Sequence, residues 1–340
     1  MFKNAGVITF YDNEQNFLYF SNYLEGFLNL QCKFQWKSAE DSKRINMDKI
    51  PKGIMVFSYK KNREELIFCI DTNDTPFVHE YSLSQSNIYF KVNKHKNLEY
   101  AENVHSCSPC FPVSGVNRSA ALRHALFNYL SKKGSKEQIK LRLKHLYHSP
   151  SEAFYRELRT KQNKYSVFFV TGLYPEAVHN EHNEFRYELV RALKKNVGSY
   201  TNSKIGLVAN DNTEKRFSDM LVPRVKVKQH LINMAESKVN VYVRGVHDCI
   251  SFKFPQIMAM GGVALGQKVY TEGAHINKIP RKDDLFSFES IEEIVKSVAK
   301  VLDNEDLMSS VGTANSKYYD DSLSVIATVQ DMLNLLNKNF

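Results

Sequence analysis

Arg244, Gly245, His247, Ser251, Lys253 and Gln256 crowd one short stretch of the 340-residue chain, within residues 239–269, VNVYVRGVHDCISFKFPQIMAMGGVALGQKV. Their types suit a polyanion. Arg244 and Lys253 supply positive charge, Gly245 lets the backbone come close, and Ser251 and Gln256 offer hydrogen-bonding atoms. His247 reads either as a ligand contact or as a structural imidazole. The alternation of Val239, Val241 and Val243 predicts a strand, and apolar Ile257, Met258 and Met260 predict a short helix stopped by Gly261-Gly262. A second strand, Val263-Ala264-Leu265, follows. Polar groups past the carboxyl end of a strand sit where ligands bind in open α/β sheets, because loop amides and helix N-termini converge there. Thr171-Gly172, directly after a predicted strand at 166–170, offers amides to a phosphate or simply makes a tight turn. Arg186, in the next predicted helix, reaches the same phosphate or pairs with Glu184, Glu188 or another surface acid.

Residues 251–261, S-F-K-F-P-Q-I-M-A-M-G, resemble the donor-binding segment S-x-R-x-x-E-x-x-A-x-G of glycosyltransferases with the two-domain GT-B fold. The resemblance covers mainly 165–315. It implies an α/β protein of two Rossmann-like domains facing a central cleft, and a nucleotide-diphosphate sugar donor. Lys253 stands where a basic residue, usually Arg, faces the diphosphate; Gln256 stands where a Glu accepts from ribose hydroxyls, and brings no charge. The implied donor set is Thr171, Gly172, Arg186, Arg244, Gly245, His247, Ser251, Lys253 and Gln256, with no cofactor. The implied acceptor is a glycan or lipid-linked saccharide of surface polysaccharide synthesis, held by the N-terminal domain and enclosed when the domains close. Nucleic acid is the alternative acceptor, and a non-catalytic nucleotide- or glycan-binding module is the rival from another class. An inverting transfer needs a general base, for which Asp71 and Asp74 are the candidates, with His79 and Glu80 behind them. No D-x-D motif ends a predicted strand, so chelation of Mn²⁺ or Mg²⁺ is not expected, and Lys253, Arg244 and helix-end amides would stabilise the departing diphosphate.

The elements that must position these residues follow from periodicity. In the first half, a strand is expected at 5–11, then a helix at 16–30 with Phe17, Phe20, Leu24, Phe27 and Leu28 at helical spacing. The apolar runs 54–57 and 66–70 read as buried parallel strands, with a third short strand at 88–91 and a helix at 117–132. Composition shifts at 133–164, where Gly134, Ser135, Ser149 and Pro150 interrupt the apolar pattern, and the linker is placed there. Beyond it the expected order is a strand at 166–170, a helix at 184–195, a strand at 205–209, a helix at 228–237 and the segment already described; this alternation implies a parallel sheet with right-handed crossovers. The expected division is therefore 1–150 on the acceptor side, 165–316 on the donor side, and a C-terminal helix in 317–340 that the resemblance sends back to the first domain.

Composition bounds the rest. A chain that is 43% hydrophobic and 12% aromatic is not disordered, and 340 residues suffice for two cores. No window reaches the roughly 18 consecutive apolar residues of a membrane span, and the first residues lack a secretory pattern, so a cytoplasmic protein is expected. The cysteines Cys32, Cys69, Cys107, Cys110 and Cys249 should be reduced; Cys107 and Cys110, near His105, form a C-x-x-C without a second ligand pair, which favours a turn over zinc. The formal net charge is +9, and part of it is local: Lys132, Lys133, Lys136, Lys140, Arg142, Lys144, Arg156, Arg159, Lys161 and Lys164 face only Glu137, Glu152 and Glu157. Such a run suits anionic lipid headgroups, a phosphorylated acceptor or nucleic acid, or is simply a solvated face, and it gives the expected peripheral contact with the inner face of the membrane.

Overall fold

Among the described residues of the computed structural model, ten strands form two sheets. The structure describes every residue except 1–5, 13–18, 31–32, 43, 115–117, 176, 198–201 and 212. Ala5, Asn16, Phe17, Cys32 and Asn117, named above, lie outside the described residues.

The first sheet has the order β2-β1-β3-β4-β5-β6, with β1 Val7–Asp12, β2 Lys33–Ser38, β3 Ile54–Lys61, β4 Glu64–Asp71, β5 Ile88–Lys91 and β6 Val104–Ser106. The runs in β3 and β4 were expected to be parallel. They pair antiparallel, Ile54 opposite Asp71 and Lys61 opposite Glu64, because only Asn62 and Arg63 connect them. A parallel return needs a crossover of a dozen residues or more, so that connection settles the direction. Side chains alternate between two cores: Met55, Phe57, Phe68 and Ile70 join one, and Ile54, Val56, Ile67 and Cys69 the other. The first core is covered by the helices Ser21–Asn29 and Val325–Lys338, whose Phe27, Val329 and Leu333 pack together.

The second sheet is all parallel, with the order β10-β9-β7-β8: β7 Tyr165–Gly172, β8 Lys204–Val208, β9 Ser237–Tyr242 and β10 Val263–Gly266. The helices Asn180–Val197, Val227–Ala235 and Lys253–Ala259 are the crossovers. The sequence order reverses between β7 and β9. That is a topological switch point, where a crevice opens beyond the carboxyl ends of the strands.

The chain divides into two units, Met1–Ala153 with Tyr270–Lys278 and Asp320–Phe340, and Phe154–Val269 with Ile279–Tyr319. Tyr270–Lys278 belongs to the first unit, where Thr271 pairs with His95 and its hydroxyl donates to Asn93 at 3.1 Å, and where Glu272 forms an ion pair with Lys94. The stretch expected to be a linker instead holds the helices Lys136–His148 and Glu152–Glu157. Arg142, counted above in a basic surface, is buried and donates to Asp12 at 2.7 Å. Among the described residues no helix is long and apolar enough to cross a membrane.

Candidate functional site

The site begins with how β7 ends. Its pairing with β9 stops at Phe168 opposite Asn240, while its pairing with β8 continues to Gly172 opposite Val208. Past Phe168, carbonyls of β7 therefore need donors other than β9. Two cations supply them. Lys253 Nζ donates to Val170 O at 2.8 Å, and Arg186 Nη1 donates to Gly172 O at 2.6 Å. The Arg186 guanidinium also donates to Tyr174 Oη at 3.0 Å and lies over the Tyr174 ring, 4.2 Å from its centroid. Asn183, one turn earlier on the same helix, fixes Tyr174 by accepting from its backbone N at 2.8 Å and donating to its carbonyl at 3.0 Å.

Among the described residues neither cation has a carboxylate partner. Glu184 pairs with Arg216 and Glu188 with Arg191, which closes those two alternatives for Arg186. Burial, and then the charge of Arg186, push the Lys253 amine down from 10.5 to about 7. His230, packed edge-on against Phe168, is pushed down to about 3 by burial and by Lys253. Two cations that form no ion pair among the described residues are electrostatically unfinished, since each has lost hydration without gaining a directly bonded opposite charge; Glu181 and Asp248 line the adjoining crevice.

A crevice of about 190 Å³ adjoins Arg186, lined with it by Glu181, His182, Phe185, Val243, Arg244, Gly245, Asp248 and Gln267. It lies at the carboxyl ends of the parallel strands, at the switch point. The rings of His179, His182 and Tyr174 cluster beside it, with His179 and Tyr174 centroids 5.1 Å apart. Burial, Arg186 and His179 together lower the His182 pKa from its ordinary value.

The structure thus gathers Gly172, Arg186, Lys253, Arg244 and Gly245, but not in equal roles. Thr171 and Gly172 are still in the strand rather than in a phosphate loop, and Thr171 is buried. Gly172 is exposed, and a Cβ there would meet no atom, so the protein itself leaves that space open. Arg244 is occupied: it lies 3.2 Å from Asp248 and 3.0 Å from Glu289, and its backbone N donates to Gln267. Its charge is spent on the crevice wall. The Gly245 N donates to Cys249 O at 2.9 Å, and a Cβ at Gly245 would collide with the Cys249 sulfur, so close packing inside the protein accounts for this glycine.

His247 is exposed on the loop after β9; it and Asp248 both take left-handed backbone, with φ of 55° and 58°. Consecutive non-glycine residues in that region are held by their surroundings at a cost of order 1–3 kcal/mol each. Ser251 accepts from the Lys253 backbone N at 3.4 Å, just ahead of the short helix. Gln256 points elsewhere: it is buried, and its amide donates to Tyr155 Oη at 3.0 Å, so its side chain is engaged in the core.

In the first unit, Asp71 is also buried and fully engaged. It accepts from Tyr89 Oη at 2.7 Å, from Lys91 Nζ at 2.8 Å, and from both nitrogens of Asn73 at 2.9 Å. Asp74, three residues on, is exposed, while its carbonyl accepts from Asn93. His79 caps the helix Glu80–Ser84 by accepting from Ser82 N. Cys69, Cys107, Cys110 and Cys249 are not joined in disulfides, and burial pushes Cys107 up to about 12. Among the described residues no cluster of three or more His, Cys, Asp or Glu could hold a metal ion.

Sequence reasoning missed Tyr174, Asn183, His182 and Glu289. Asn183 and Arg186 lie three apart on the same helix face as Leu189 and Val190, and a polar pair in an apolar stripe is the signal that could have found them.

No family model matches the chain, and no curated protein sequence matches it. Its structure is similar to that of TarM, at 12% identity over 79% of this chain and 54% of that one, with a TM-score of 0.38. It is also similar to a point mutant of S. aureus TarM in complex with fondaparinux, α-GlcNAc-glycerol and UDP, at 10% identity over 84% and 64% of the two chains and a TM-score of 0.38. A third similar structure is the DNA-modifying enzyme β-glucosyltransferase, at 8% identity over 96% and 97% and a TM-score of 0.39. The chain spans about half the length of the first of these and 64% of the second.

Proposed function

We propose that this chain is a glycosyltransferase that takes a sugar from a nucleotide-diphosphate donor, with the diphosphate seated against Arg186 and Lys253. The observation that carries the reading is that pair: two cations on nearby carbonyls of one strand end, at a switch point, with no carboxylate ion-paired to either among the described residues. A diphosphate supplies the missing charge, and the exposed end of the strand at Gly172 leaves it room. Negative charge grows on the diphosphate as the sugar leaves, so fixed cations in a dry pocket favour the transition state over the ground state. They do the neutralising work for which other enzymes recruit a divalent ion, so the transfer is proposed to be metal-independent. Asp74 is the proposed general base; Asp71, already holding Lys91 and Tyr89, positions the turn that carries it.

The acceptor in this reading is a glycan or lipid-linked saccharide of surface polysaccharide synthesis. A net charge of +9 supports nucleic acid as the second reading. The test is incubation with UDP-, GDP-, CMP- and dTDP-sugars, with and without EDTA. Free nucleotide is expected from one donor class, at a rate that EDTA leaves unchanged. Absence of release from every donor, together with no rise in melting temperature, would remove the reading; a raised melting temperature without release would leave a binding module. Steeply salt-dependent binding of duplex DNA would favour the second acceptor.

A further inference from the structure

We propose that the paired helices Arg118–Leu130 and Lys136–His148 lay their outer face on an anionic lipid surface. This goes beyond the sugar-transfer reading and stands without it. The two helices pack on each other, and beside the buried Ala121 and Ala125 their buried side chains are polar while their larger apolar ones face out. Inward they bury polar side chains: Asn128 contacts His124 at 3.0 Å, Gln138 and Arg142 donate to Asp12, and His145 contacts the Ser149 hydroxyl at 2.8 Å. Outward they show hydrophobic ones. Phe127 is 66% exposed and Leu130 79%, and Leu126, Tyr129 and Leu143 are exposed beside them. A helix that turns its hydrophobic residues to water while using its polar ones as core reserves that face for an apolar partner.

Charge identifies the partner. Leu130 stands at the turn between the helices, and Lys132, Lys136, Lys140 and Lys144 are exposed on that turn and on the second helix, where the exposed acids described are Glu137 and, paired with Lys133, Asp41. Against a second copy of the chain, this face would set lysines against lysines. Against nucleic acid, the lysines would be satisfied but Phe127 and Leu130 would gain nothing from a phosphate backbone. An anionic bilayer answers both, with acyl chains for the hydrophobic tip and headgroups for the lysine fringe.

The test is sedimentation of the full chain with vesicles of phosphatidylcholine alone, or of phosphatidylcholine with phosphatidylglycerol. The chain is expected to pellet with the anionic vesicles at low salt and to be released as salt rises. Phe127→Ser with Leu130→Ser should abolish pelleting without lowering the unfolding midpoint, since both side chains are already in water. Lys136→Gln, Lys140→Gln and Lys144→Gln together should lower partitioning on the order of a hundredfold. No pelleting at low salt, or pelleting that survives loss of Phe127 and Leu130, would overturn the proposal. So would a dimer in solution that those two substitutions dissociate.

Discussion

Lys253 and Arg186 hold the carbonyls of Val170 and Gly172, two residues apart on one strand, at 2.8 and 2.6 Å. Both cations are on helices, reach the strand end from which β9 has departed, and form no ion pair among the described residues. The donor reading is built on that relationship.

Replacing Lys253 with Met keeps the length of the side chain and removes the charge. Donor affinity should fall by about 1–3 kcal/mol, the scale of a lost charged hydrogen bond, as measured by titration calorimetry. Unchanged affinity would place the diphosphate elsewhere.

The amine at about 7 makes two pH predictions. Between about 7 and the ordinary lysine value of 10.5, the unfolded chain holds a proton that the folded chain lacks, so this group makes stability rise with pH across that window. The cost of burying the ammonium is present in full below pH 7 and is relieved above it. The Lys253→Met variant should therefore gain more, relative to the parent, at pH 6 than at pH 9.5 in thermal melts. A diphosphate favours the charged amine, so donor binding above pH 7 should take up a proton, read as a dependence of the calorimetric enthalpy on buffer ionisation. Binding without proton uptake at pH 8 would separate Lys253 from the ligand.

Gly172→Ala places a methyl group where no atom stands. Stability should change by less than about 0.5 kcal/mol, while donor affinity drops if phosphate approaches the strand end. An unaltered affinity would mean that the space is not used.

Asp71 and Asp74 should separate cleanly. Asp71→Asn leaves Lys91 buried without its counter-charge and should destabilise the fold by about 3–5 kcal/mol in denaturant melts. Asp74→Asn should slow transfer by about 10²–10⁴-fold, as removal of a general base does, with a smaller loss of stability than Asp71→Asn. A fully active Asp74→Asn variant would remove Asp74 from the chemistry.

The second sheet was legible in the sequence because each strand is an apolar run between helical periods, and the all-parallel order follows from that alternation. Arg186 and Lys253 were legible too, as cations near strand ends. The pairing of Gln256 with Tyr155 was not, since it joins residues 101 apart and depends on which helix face is buried. Arg142 looked like one more charge in a basic run, because its partner Asp12 lies 130 residues away. For the hairpin of β3 and β4, apolar content is the same in either direction; the informative feature was the two-residue connection. The return of Tyr270–Lys278 to the first unit rests on pairing with His95, Asn93 and Lys94, and a single sequence carries no signal for such long-range pairs.

Diffraction from crystals grown with the nucleotide sugar that the chain hydrolyses tests the central claim most directly. The account predicts phosphate oxygens within hydrogen-bonding distance of the Arg186 guanidinium and the Lys253 ammonium, beside Gly172. A diphosphate bound away from both cations, at a concentration that saturates turnover, would contradict it.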